Sequence, residues 1–160
     1  MPADAHKQIA AALGRIPSGI FVLTARLGDQ VTGLLASWVQ QCSFEPPLVS
    51  IAVKRGRFVG EWLQRGAAFT LNILDETQTD MIGHFGRGFD LGQPAFTDIE
   101  ADQRPDRAPI LTEALAYLDG RLVSQHPSGD HEIYICEVLY AAMLGEGRPM
   151  VHVRKSGMHY

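Results

Sequence analysis

Two long runs near the C-terminus, Leu115 to Gln125 and Glu132 to Met143, constrain the fold more than anything else in this chain. Each is rich in β-branched and aromatic residues, and only Pro127-Ser-Gly-Asp130 separates them, which reads as a hairpin turn. Runs of that length joined by tight turns, with no regular alternation of strand and helix, predict an antiparallel barrel rather than a doubly wound sheet. The stretch from Ile133 to Leu144 is apolar on both faces. One face can fill a barrel, and a second subunit is the natural cover for the other, so a homodimer is expected.

Shorter segments complete a mainly β reading with short helices. Asp4 caps a helix that runs to Leu13, with Gly14 at its C′ position. Strands are expected over Gly19–Ala25, Val31–Ser37, Leu48–Val53, Phe69–Leu74 and Pro149–Arg154, with Gly28-Asp29 turning the first into the second. A helix near Arg57–Gln64 places Phe58, Val59, Trp62 and Leu63 on one face, and another over Glu76–His84 is buried through Met81, Ile82 and Phe85. Residues 86–109 are rich in Pro and Gly and lack periodicity, so they read as a long loop of the kind that covers a site or stays disordered. A length of 160 residues suits one domain with a substantial core.

Several function classes are disfavoured. The net charge of −4, with basic residues scattered, argues against nucleic acid or an anionic membrane as the main partner. No apolar run is long enough to span a bilayer, and the N-terminus lacks the order of a secretory signal, so a cytoplasmic protein is expected. Cys42 and Cys136 form no CxxC and are expected as reduced thiols. The six histidines match no zinc spacing, and no metal is expected. Gly86-Arg-Gly-Phe-Asp-Leu-Gly92 has the wrong spacing for a dinucleotide fingerprint and follows no strand.

Three segments carry chemistry. Gly33 through Pro47 reads as an extended segment of small and polar residues ending at a Pro-Pro break, where a flat ligand can lie against backbone amides. Lys54, Arg55 and Arg57 then form a cationic turn ahead of a helix N-terminus, a favourable place for a phosphate. This cluster and Arg154-Lys155 suit one phosphate better than a polyanion. Finally, Gly129-Asp130-His131-Glu132 sets an imidazole at a barrel rim beside a carboxylate, either lining a ligand mouth or simply solvated.

In these residues the chain resembles the flavin reductase-like family of FMN-binding split barrels. The resemblance rests on Gly14-Arg-Ile-Pro-Ser-Gly-Ile-Phe-Val-Leu-Thr24, Gly33 through Pro47, Phe69-Thr-Leu-Asn-Ile-Leu74, His84-Phe-Gly86, Gly129-Asp-His131 and Val138. The version Ser37-Trp-Val-Gln-Gln-Cys-Ser-Phe-Glu-Pro-Pro47 looks more like the reductase-like domain fused to flavodiiron proteins or rubredoxins. The resemblance implies a homodimeric antiparallel split β-barrel of Greek-key type that binds FMN, with FAD not excluded. Hydride would pass from NADH or NADPH to flavin N5, and a redox partner protein could take the electrons. By the same resemblance Leu35, Ala36, Ser37, Trp38, Cys42 and Ser43 line the flavin, Lys54 and Arg57 hold its phosphate, and His131 faces the nicotinamide. The alternatives are a non-enzymatic FMN electron carrier and a haem-binding split barrel.

Overall fold

A computed structural model describes residues 3–158. In chain order the elements are α1 (Ala3–Leu13), β1 (Ser18–Gly19), β2 (Phe21–Leu27), β3 (Gln30–Ala36), β4 (Val39–Ser43), β5 (Leu48–Lys54), α2 (Phe58–Gln64), β6 (Ala68–Ile73) and α3 (Thr79–Gly86). They continue through β7 (Ala101–Asp102), β8 (Ile110–Leu111), β9 (Ala116–Ser128), β10 (His131–Met143) and β11 (Val151–His152). The main sheet is antiparallel throughout, in the order β3-β2-β6-β9-β10-β5-β4, with β1–β11 and β7–β8 as separate pairs.

That order requires the sheet to roll. Strands β3 and β4 are its two edges, yet only Ser37 and Trp38 lie between them in the chain. Six flat strand spacings of about 4.8 Å would hold the edges roughly 29 Å apart. The link from Ala36 to Val39 spans at most about 11 Å. The edges therefore meet at Ser37–Trp38, where the Trp38 carbonyl accepts the Ala52 amide of β5 at 2.9 Å. The small-polar segment from Gly33 to Pro47 is thus two strands, not one. It stays extended but changes partner from β2 to β5 at its midpoint.

The β9–β10 hairpin joins the two halves of this sheet. Residues Ala116–Gly120 of β9 pair with β6, whereas His131–Glu137 of β10 pair with β5. Register shifts at Ile135/Cys136 and Val138/Tyr140 bend the pair between those regions. Gly120 occupies the bend, where a Cβ would strike the Glu137 carbonyl. At the hairpin tip Gly129 takes φ +59, a conformation that favours glycine. Beyond Glu137 the strand has no β5 partner, and Leu139, Tyr140 and Met143 stand exposed.

Alternation along the strands sorts the core into two layers. Leu23, Ile51, Leu71, Tyr134 and Cys136 fill the inside of the curl, closed at one end by Val59 and Leu63 of α2. On the outer face Val22 and Leu74 pack with Met81 and Phe85 of α3 and with Leu111. The 86–109 segment contains β7 and is anchored to the rest of the chain with Ala95 and Ala108 buried. Buried Asn72 donates to the Val22 carbonyl at 3.1 Å and accepts from the Leu111 amide at 2.9 Å, and Arg26 donates through Nε to the Arg107 carbonyl at 2.6 Å.

The helices and terminal strands differ in detail from the expectations. Asp4 lies within the first turn of α1 rather than capping it. Gly14 follows that helix without a positive φ; its small size admits the Arg154 carbonyl and the Ser156 backbone. Helix α3 starts at Thr79, because the Asp75 carboxylate accepts from the Thr77 amide and hydroxyl and holds a turn ahead of it. The expected strand over Pro149–Arg154 shrinks to Val151–His152, paired with Ser18–Gly19. Among the described residues no helix is long and apolar enough to cross a membrane.

Candidate functional site

Where the sheet edges meet, the C-terminal parts of β3 and β5, the start of α2, helix α3 and the segment after β11 surround a cleft of about 390 Å³. That volume lies within the range of small-molecule and cofactor sites. One wall is Leu34–Trp38, the end of an edge strand and the link that follows it. Ala52, Val53 and Lys54 form the opposite side, and Ile82 and Gly86 of α3 close over it. Phe85 packs beneath, at the place where a Cβ on Gly33 would stand.

Six of the residues expected at a ligand line this cleft: Leu35, Ala36, Ser37, Trp38, Lys54 and Arg57. Cys42 and Ser43 do not. They sit at the far end of β4, where the register shift between Gln41 and Ser43 breaks the ladder, and Cys42 is exposed. Cys136 is buried, and burial pushes its thiol up to about 12. The cationic turn also divides. Arg55 turns aside to pair with Glu132 at 3.0 Å, leaving Lys54 and Arg57 at the cleft. Arg57 lies against Gly88, where any larger residue would meet its guanidinium.

His131 lies off the cleft wall. It pairs in register with Lys54, is 6% exposed, and its ring centroid is 4.7 Å from that of Trp38. Its Nδ1 is 2.8 Å from Asp130 Oδ1, and this hydrogen bond is the main cause holding the Asp130 carboxyl below its ordinary range. A solvated rim histidine is therefore the wrong description. The imidazole is packed, oriented by a carboxylate, and in contact with a residue that does line the site.

The sequence singled out Arg154 with Lys155 as a basic cluster suited to a phosphate, but did not place it or His152 beside the Leu35–Trp38 wall. Both line the cleft, and Arg154 lies over the Trp38 ring at 5.1 Å. The β1–β11 pairing and the backbone bonds flanking it bring them there, and two-residue strands leave no periodic signal. The cleft lining contains no Asp or Glu. Among the described residues Lys54, Arg57 and Arg154 make no ion pair. Unpaired cations around an apolar wall favour an anionic ligand with a flat apolar body.

A rolled antiparallel sheet with a cleft at its meeting edges, lined by cationic side chains and no carboxylate, is the frame of the candidate site. The chain belongs to the flavin reductase-like family, whose model, described as a flavin reductase like domain, matches residues 13–159. It is 37% identical over 161 residues to a putative diflavin flavoprotein A 3 of Synechocystis sp., covering 100% of this chain and 27% of that protein. The chain thus spans about a quarter of the length of the curated relatives it matches. Among solved structures it is similar to the NADH:FAD oxidoreductase SgcE6 of Streptomyces globisporus, with a TM-score of 0.81 and 26% identity over 92% of this chain and 86% of that one. That protein has also been solved in complex with NAD and FAD fragments. The styrene monooxygenase flavin reductase of Pseudomonas putida S12 matches with a TM-score of 0.75 and 25% identity, covering 89% and 90% of the two chains.

Proposed function

We propose that this chain is one flavin-dependent oxidoreductase domain, a homodimeric split β-barrel that holds FMN in the cleft and uses NADH or NADPH. The observation that carries the reading is the pairing of Lys54 and Arg57 with the Leu35–Trp38 wall in a cleft without carboxylates. When bound, the flavin supplies the redox chemistry, taking a hydride from reduced nicotinamide at N5.

The side chains fit that group. A phosphate monoester carries about −1.5 to −2 charges at neutral pH, which Lys54 and Arg57 match. Ala36 and Ser37 are small enough for a ring system to approach the β3 edge, and Leu35 with Ile82 supplies apolar contact. The protein's contribution is orientation and exclusion of water. His131, oriented by Asp130, sets the position of Trp38 at the mouth and so acts on nicotinamide access through that ring. The exposed Leu139, Tyr140 and Met143 are the surface we assign to the dimer. Electrons then pass to a redox partner protein, and we place the reaction in the cytoplasm.

Binding of FMN and of riboflavin, which lacks the phosphate, tests the assignment. Lys54→Ala and Arg57→Ala should each weaken FMN by about tenfold or more, since a hydrogen bond to a charged group contributes about 1.5–3 kcal/mol. Riboflavin affinity should hardly change. Equal losses for both ligands would remove the phosphate from this turn.

A further inference from the structure

We infer that the face built by α1, the corner at residues 14–17 and the β11 strap docks an acidic one-electron carrier protein that takes electrons from the flavin. The inference deepens the proposed function and rests on it for a reduced flavin in the cleft. Large apolar side chains stand open on this face. Ile16 is 60% exposed, Val151 64% and Val153 50%, and Ile9 and Leu13 of α1 are exposed beside them. They form one surface. Ile9 and Leu13 lie one turn apart on α1, and Leu13 packs on Gly157, where a Cβ would strike it. Val151 pairs in register with Gly19, and Ile16 and Val151 line one groove of about 500 Å³. A contiguous apolar patch with a polar rim marks an interaction site.

The rim of this face is basic although the chain carries a net charge of −4. Residues 3–19 and 149–158 contribute Lys7, Arg15, Arg154 and Lys155 against one carboxylate, Asp4. Arg15 and Lys155 are exposed, and among the described residues neither makes an ion pair. A partner with an acidic rim around an apolar centre complements this pattern and is steered to it. A second copy does not, because an isologous contact would set the same cations against one another. An anionic membrane is disfavoured by the net charge, and α1 itself offers only one Lys and one Asp. The position suits electron transfer, since the groove shares Ser37, Trp38 and Ala52 with the cleft. A carrier seated over Ile16 and Val151 is then divided from the flavin by the Ser37–Trp38 wall. Two carrier molecules each take one electron from the two-electron-reduced flavin. Its two protons pass to solvent and the flavin returns to the oxidised form.

Plastocyanin, an acidic copper protein, and cytochrome c, a basic haem protein, are one-electron probes of opposite charge. With the FMN-loaded protein photoreduced in the absence of air, plastocyanin reduction should be fast at low ionic strength and fall as salt is added. Arg15→Glu combined with Lys155→Glu should lower that rate constant about tenfold or more at low salt, within the range that steering supplies. The difference should close near 1 M salt, where the screening length is about 3 Å. The same reversal should speed cytochrome c. Ile16→Ser should weaken plastocyanin by about tenfold at every salt concentration, as loss of a buried apolar side chain does. These side chains are exposed and lie outside the cleft, so flavin bleaching by NADH and the unfolding midpoint should be unchanged. Calorimetric titration of plastocyanin into flavin-free protein reads the docking alone, and the same variants should lose affinity there. Plastocyanin reduction that speeds up with salt, as the net charge alone dictates, or that is equal in wild type and all variants, overturns the inference. So does loss of binding to phosphatidylserine vesicles in the variants with plastocyanin affinity unchanged, which would give the face to a membrane. Failure of NADH to bleach the flavin would fall on the proposed function alone, since photoreduction bypasses the nicotinamide.

Discussion

Gly33 stands where the floor of the cleft meets α3, and replacing it with alanine tests that packing directly. A Cβ at Gly33 would lie 2.5 Å from Phe85 Cε1 and 2.9 Å from Cδ1, closer than real Cβ contacts come. The ring has little room to move. Phe85 is fully buried, with the His84 ring 4.7 Å away and the Phe89 and Phe96 rings each 6.0 Å away. Gly33 has no positive φ, so alanine adds no backbone strain. Overpacking of this kind costs about 1–3 kcal/mol. For a domain of this length that corresponds to a fall in Tm of about 2–4 °C per kcal/mol, or roughly 2–12 °C. Gly83 gives the opposite case in the same helix. It is exposed, and a Cβ there meets nothing within 4 Å. Alanine at Gly83 should stabilise by about 0.4–1 kcal/mol. Urea denaturation of both variants measures the two effects. A Gly33→Ala protein as stable as wild type would refute the placement of α3 on β3.

Two predictions concern the titrating and reactive groups near the site. Asp130 has its carboxyl held below the ordinary value of 3.8 by the hydrogen bond to His131, so its contribution is present above that pH and lost as the pH falls through the depressed value. The stability difference between wild type and Asp130→Asn should therefore be seen at neutral pH and vanish in strong acid; a difference that persists or grows in acid would contradict the pairing. For the thiols, Cys42 is exposed whereas the Cys136 thiol is buried and pushed up to about 12. Iodoacetamide at neutral pH should label Cys42 alone, with Cys136 reacting only after unfolding, and peptide mass mapping reads the result.

How much of this the sequence revealed depends on the range of the interaction. The β9–β10 hairpin, the β5 strand and the cationic turn at residues 54–57 are local patterns, and the structure has each of them close to the expected bounds. The change of partner at Ser37–Trp38 is not local. Nothing in an extended run of small and polar residues marks where it leaves β2 for β5, so the separation of Cys42 and Ser43 from the Leu35–Trp38 wall could not be read from it. Likewise His152 and Arg154 reach the cleft through a two-residue strand far from it in sequence. His131 was legible as a carboxylate-held imidazole because Asp130 is its neighbour in the chain, but its burial against Trp38 depends on the rolled sheet.

The most direct measurement of the proposed activity is anaerobic mixing of the FMN-loaded protein with NADH and with NADPH, following the visible absorbance of the oxidised flavin. Bleaching by at least one nucleotide, saturable in its concentration and fast beside the same reaction with free FMN, is the expected result. Flavin that stays oxidised with both nucleotides and bleaches only on adding dithionite would contradict the account and leave a bound-flavin electron carrier in its place.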